Sequence, residues 1–183
     1  MRAFLAFELE GSVKEYLDRL IREMAKTYEG VRWVKKENHH VTIKFFEDLE
    51  EGKVEAMRER LLGVAEKFDP FEVTTGGIEF FPDRRRARVI VVSLEEGAPK
   101  MGEIFGEVER RLSGLGIEEE RRPYRPHITL GRRRVPSSLE VLPDLPLERR
   151  RFRIERMALF KSMLSPQGPL YTALWHIRLG IKL

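Results

Sequence analysis

The chain has no cysteine, one asparagine (Asn38), one glutamine (Gln167) and two tryptophans among its 183 residues. The lack of cysteine excludes a disulfide framework, a thiolate zinc site and a cysteine nucleophile. No stretch approaches the ~18 consecutive apolar residues of a membrane-spanning helix. The apolar opening, Met1 to Glu8, is too short for a secretory signal. A cytoplasmic protein without membrane contact is expected. Neither sign of charge dominates: 34 Lys+Arg stand against 30 Asp+Glu, a net charge of +4. Balanced charge with 42% hydrophobic residues excludes disorder as the dominant state. Scarce amides and 35% charged residues give the pattern of a hyperthermophile protein. In such a protein the arginine runs at 84–86, 132–134 and 149–151 read first as surface ion pairs. At this length a single domain is expected, and a monomer.

Apolar periodicity gives the elements. Phe4 to Leu9 reads as a strand. Ser12 with Glu15 reads as a capping box opening a helix whose inner face is Val13, Tyr16, Leu17, Leu20, Ile21 and Met24. Strands follow at Val31–Val34 and Val41–Phe46. Val54, Met57, Leu61, Val64, Ala65 and Phe68 mark a second helix. Phe71–Phe81 is extended, with a kink or bulge at Gly76-Gly77, and Ala87–Leu94 is a strand. A third helix near Pro99 has an inner face of Met101, Ile104, Phe105, Val108 and Leu112. Tyr124–Leu130 is extended. Residues 135–148 hold Pro136, Pro143 and Pro146 and read as a loop. Arg151–Lys161 and Tyr171–Leu179 are strands. In the last, Tyr171, Ala173, Trp175, Ile177 and Leu179 alternate onto one buried face.

The order is β-α-β-β-α-β followed by β-α-β-β, which suggests an internal repeat. A shift of 87 residues carries Leu5 onto Val92, His40 onto His127 and Thr42 onto Thr129. The expectation is one domain, 1–183, of two pseudo-symmetric units at about 1–86 and 87–183.

Of four histidines, two open matching tetrapeptides: His40-Val41-Thr42-Ile43 and His127-Ile128-Thr129-Leu130. Side chains alternate along a strand, so each motif presents an imidazole and a hydroxyl on one face, with apolar anchors behind. Two such stripes facing across a cleft would surround one small ligand. One imidazole can accept a proton from a nucleophile while the other donates one to a leaving oxygen. The hydroxyls can donate to phosphoryl oxygens. The set suits phosphodiester chemistry and calls for no metal and no cofactor. A structural histidine pair is one alternative. A metal site is another, for which two ligands are few. His39 points away from His40, and His176 reads as solvated.

Trp33 to Phe46, with Asn38, His40, Thr42, Lys44 and Phe45, resembles the first signature of the two-histidine (2H) phosphoesterases. Arg122-Pro123-Tyr124-Arg125-Pro126-His127-Ile128-Thr129-Leu130-Gly131-Arg132 resembles the second. The opening Phe4-Leu5-Ala6-Phe7, Phe80-Phe81-Pro82 and the Ser162–Tyr171 region extend the likeness over nearly the whole chain. The group most resembled is the RNA 2',3'-cyclic phosphodiesterases, also called the 2'-5' RNA ligase family. Phe46-Glu47 departs from the Leu-Gly common at that place. The resemblance implies an α+β, two-lobed 2H phosphoesterase fold: two pseudo-symmetric antiparallel sheets around a central cleft, with helices outside. It implies hydrolysis of RNA 2',3'-cyclic phosphate ends, tRNA fragments among them, to 2'-phosphates. His40 would be the acid, His127 the base, and Thr42 and Thr129 the phosphate holders. ATP-independent 2'-5' RNA end ligation is the alternative role, and a non-catalytic RNA-binding module the alternative class. Arg125 and Arg132 flank His127 and are candidates for RNA phosphate contact. Phe45 and Tyr124 are candidates for base stacking.

Overall fold

The computed structural model describes residues 1–139 and 143–182. Its strands are β1 (Ala3–Glu8), β2 (Val31–Trp33), β3 (His40–Phe46), β4 (Phe71–Phe81), β5 (Ala87–Leu94), β6 (His127–Ser137), β7 (Arg151–Ile154), β8 (Arg156–Ser165) and β9 (Gly168–Arg178). Its helices are α1 (Gly11–Ala25), α2 (Val54–Lys67) and α3 (Ala98–Ser113). Among the described residues, no helix is long and apolar enough to cross a membrane.

The strands run β7-β4-β5-β6-β3-β1-β8-β9, with β2 also pairing β6, and every pairing is antiparallel. The sheet divides into two wings joined where β3 meets β6. Outward from that junction, one wing reads β3, β1, β8 and the other β6, β5, β4. The boundary expected near residue 86 falls between β4 and β5, which pair with each other. The first strand pairs with the eighth. Each wing therefore takes strands from both halves of the sequence.

One face of the sheet is packed by the helices. Val13, Tyr16, Leu17, Leu20, Ile21 and Met24 of α1 are buried, as their spacing predicts. They share one core with Leu5 and Phe7 of β1, Val41 and Ile43 of β3, and Ile128 and Leu130 of β6. Each fully buried side chain of this size contributes roughly 1.5–3 kcal/mol. Phe4, Ala6, Val91 and Ala158 are buried too, but they lie outside that core, on the opposite face.

Several local expectations are corrected. No capping box forms: α1 starts at Gly11 with no side-chain cap, and the Glu15 carboxylate pairs instead with Lys36. Strand β6 runs on to Ser137, into the stretch read as a loop; residues 140–142 of that stretch lie outside the described residues. The strand read over Arg151–Lys161 breaks at Glu155, which separates β7 from β8. In β9 the pairing slips: Trp175 lies opposite Leu159, but Ala173 lies opposite Phe160. An extra residue there reverses the alternation. Trp175, Ile177 and Leu179 stay buried, whereas Tyr171 turns to the other face.

Gly131 places β2. A Cβ there would come within 2.6 Å of Val31 and 2.8 Å of Trp33, whose side chains cover it on the core face. Gly131→Ala is expected to lower stability by ~1–3 kcal/mol through overpacking. Chemical denaturation of the two proteins side by side measures the difference.

Candidate active site

The site lies where the wings join. Strands β3 and β6 share one bridging pair, Val41 opposite Ile128, and both side chains are buried in the core. His40 and Thr42 flank the first of these residues, and His127 and Thr129 flank the second. Alternation turns all four to the face away from the helices. The motifs therefore stand side by side where the two wings of the curled sheet meet.

Each imidazole is held in the same way. The Nδ1–H of His40 donates to the Asn38 carbonyl at 2.8 Å, and that of His127 to the Arg125 carbonyl at 2.7 Å. A carbonyl only accepts, so Nδ1 carries the proton and Nε2 is left for chemistry. At His40 that Nε2 lies 2.9 Å from the Thr42 hydroxyl. Aromatic rings brace both. Phe4 stacks on His40 at 4.6 Å, Tyr171 meets His40 edge-on at 5.8 Å, and Phe81 meets His127 edge-on at 5.2 Å. Burial holds the His40 pKa down to about 4, with the charges of Arg132 and His127 acting in the same sense. Burial also lowers His127, again with help from Arg132. Both are neutral at pH 7 in the unliganded site.

The other candidates separate. Arg132 lies opposite Val89, on the face of His127. Arg125 sits 3.8 Å from the Glu79 carboxylate and over the Phe81 ring, so its guanidinium is already engaged. Phe45 is 49% exposed beside Phe4, with Arg2 over its ring. Tyr124 is a strut and not a stacking platform. Its ring lies flat against Phe105 at 4.5 Å, and its hydroxyl donates to the Thr42 carbonyl at 2.8 Å, tying the second motif to the first. His176 is exposed, as expected, and its Nδ1 lies 3.1 Å from Glu8, a residue paired with His40 across the strands. His39 is buried, and its ring nitrogens have no partner among the described residues.

A cavity of about 220 Å³ opens beside His40, lined by Phe4, Glu8, Asn38, Phe160 and Tyr171 among others. A larger one, about 550 Å³, carries Glu47, Asp48, Glu118 and Glu120 and neither motif histidine. Of the two, the smaller is the one that reaches a motif histidine. Sequence reasoning missed Tyr171, because the bulge that redirects it leaves no mark in composition or spacing.

Comparison with known proteins shows the family and the fold. The model of the family described as LigT like Phosphoesterase matches residues 7–91 and 92–171. An RNA 2',3'-cyclic phosphodiesterase of Methanothermobacter thermautotrophicus is 31% identical, with 98% of this chain and 99% of that protein aligned. One from Methanocaldococcus jannaschii is also 31% identical, over 93% of this chain and 96% of that protein. Among solved structures, TT0787 of Thermus thermophilus superposes with a TM-score of 0.80 at 25% identity, over 98% of both chains. The E. coli LigT complex with 3'-AMP shares the fold, with a TM-score of 0.77 at 22% identity over 97% of both. The chain belongs to the LigT-like phosphoesterase family.

Proposed function

We propose that this protein, acting as a monomer, hydrolyses the 2',3'-cyclic phosphate ends of RNA to 2'-phosphates without a metal. The observation that carries this reading is the adjacency of two imidazoles, each anchored through Nδ1 to a carbonyl, with Nε2 of His40 against the Thr42 hydroxyl. The relatives named RNA 2',3'-cyclic phosphodiesterases support the substrate class.

The step balances without further reactants. Water attacks phosphorus, and His127 Nε2 takes its proton as the new P–O bond forms. The P–O3' bond breaks, and His40 Nε2 gives its proton to O3'. Thr42 and Thr129 donate to the non-bridging oxygens. Burial makes His40 reluctant to hold a proton, so the acid role depends on the negative charge of bound phosphate, which raises a nearby histidine pKa. Arg132 and Phe45 are proposed as further RNA contacts.

Incubation with an oligonucleotide ending in a 2',3'-cyclic phosphate should yield a 2'-phosphate and no 3'-phosphate. The rate should be unchanged in EDTA. A 3'-phosphate product would overturn the assignment of the leaving oxygen, and loss of activity in EDTA would overturn the metal-free step. Thr42→Ala and Thr129→Ala should each slow turnover about tenfold, the scale of one lost hydrogen bond among several.

A further inference from the structure

The arginines of the last cluster have carboxylate partners, as a thermophile surface predicts: Arg149 with Glu95, Arg150 with Glu148, Arg151 with Glu96. Arg32 and Arg132 differ. They are directly opposite each other in the pairing of β2 with β6. Among the described residues, no ion pair or hydrogen bond engages either side chain. Their neighbours fix the face. Val31 and Trp33 lie over Gly131 on the core side, so Arg32 and Arg132 point to the side of His127 and Thr129. Like charges directly opposed across a strand pair are destabilising, and an anion bridging them removes that cost.

Along β6 the order is His127, Thr129, Arg132. A bulge at Leu130 sets Thr129 opposite Val91 and Arg132 opposite Val89, so the two share a face about 7 Å apart along the strand. Extended guanidinium groups reach back over part of that span. We infer that Arg32 and Arg132 form a second phosphate subsite, which holds the phosphate on the 5' oxygen of the nucleotide that carries the cyclic phosphate. The inference rests on the proposed hydrolysis for the orientation of the substrate. It gives the protein a preference for a chain end over a free cyclic nucleotide, set by Arg32, which lies outside both histidine motifs.

The test compares three substrates: cytidine 2',3'-cyclic phosphate, the same nucleotide with a 5'-phosphate, and a dinucleotide ending in it. Wild type should favour the second and third over the first by roughly tenfold or more in kcat/KM, the scale of a charge-assisted contact. Arg32→Ala should collapse that ratio, and Arg32→Lys should keep part of it, since the charge stays and the two-pronged geometry goes. The salt dependence on the dinucleotide should become shallower by about 0.7 in log–log slope. A gain on the dinucleotide alone would assign the contact to the second nucleoside and overturn the inference. Equal rates on all three substrates in wild type, or equal losses on all three in Arg32→Ala, would overturn it too. Arg32→Gln provides the same comparison should the alanine variant not fold. If no substrate is cleaved, the proposed function fails. Equilibrium binding of the corresponding 2'-phosphates to wild type and variant then decides the subsite on its own.

Discussion

Replacing either His40 or His127 with alanine is expected to lower turnover on a cyclic-phosphate oligonucleotide by ~10²–10⁴, the range for removing a general acid or base. The reason is geometric. Each ring is fixed at Nδ1 by a backbone carbonyl, which leaves Nε2 directed at the site, that of His40 against the Thr42 hydroxyl. The effects should not multiply in the double variant, because acid and base serve one transition state. His176→Ala is the control. His176 lies on the same face, but its partner is Glu8. Single-turnover rates on the same substrate measure all four variants. If His176→Ala lost as much as His40→Ala, the pairing of the two motifs would not be the catalytic unit.

The second large effect concerns pH. With burial lowering both histidines in the free protein, kcat/KM should be greatest below pH 6.5, the ordinary value for the group. It should fall about tenfold per unit on the alkaline side, where the acid has lost its proton. The bound phosphate raises both pKa values, so the alkaline limb of kcat should lie at higher pH than that of kcat/KM. The two limbs belong to the coupled pair, and single variants divide them. Without the base, no group has to be deprotonated, so His127→Ala should lose its acidic limb. His40→Ala should lose its alkaline limb. The reverse pattern in pH–rate profiles would exchange the two roles, and an alkaline limb displaced to about pH 10, the range of a tyrosine or lysine, would exclude histidine as the acid. The same burial affects stability. His39 and His40 are held to about 4 when folded and return to about 6.5 when unfolded. The unfolded chain binds more protons between those values, so stability should fall as pH drops from about 6.5 to about 4.

The part of the site legible in the sequence is whatever local period encodes. The His-x-Thr spacing places imidazole and hydroxyl on one face because alternation in a strand needs no tertiary information. The inner faces of α1 and α3 follow from the helical period in the same way. What stays hidden depends on contacts between distant residues. Alternation assigns Tyr171 to the buried face of its strand, yet it sits against Phe4 and His40, because a single inserted residue in β9 reverses the count. Tyr124 offers an aromatic ring, but its stacking face is taken by Phe105 on a helix earlier in the chain. In the sequence, Arg32 is one basic residue among 34. Its partner Arg132 is far along the chain and is brought opposite it only by the pairing of β2 with β6. The capping box fails for a similar reason, since Lys36 offers Glu15 a full charge where the helix end offers a backbone amide.

The pairing of β1 with β8 has a consequence for how the protein is made. The second strand partner of residues 3–8, the wall beside His40, is residues 156–165, and the outermost strand of that wing ends at Arg178. A chain emerging from the ribosome therefore has both histidine motifs in hand well before it can close the sheet around the first. Contacts this distant in sequence form late and slowly. A message broken between the second motif and the last hairpin gives a polypeptide with both histidines and no β8 to wall in the first.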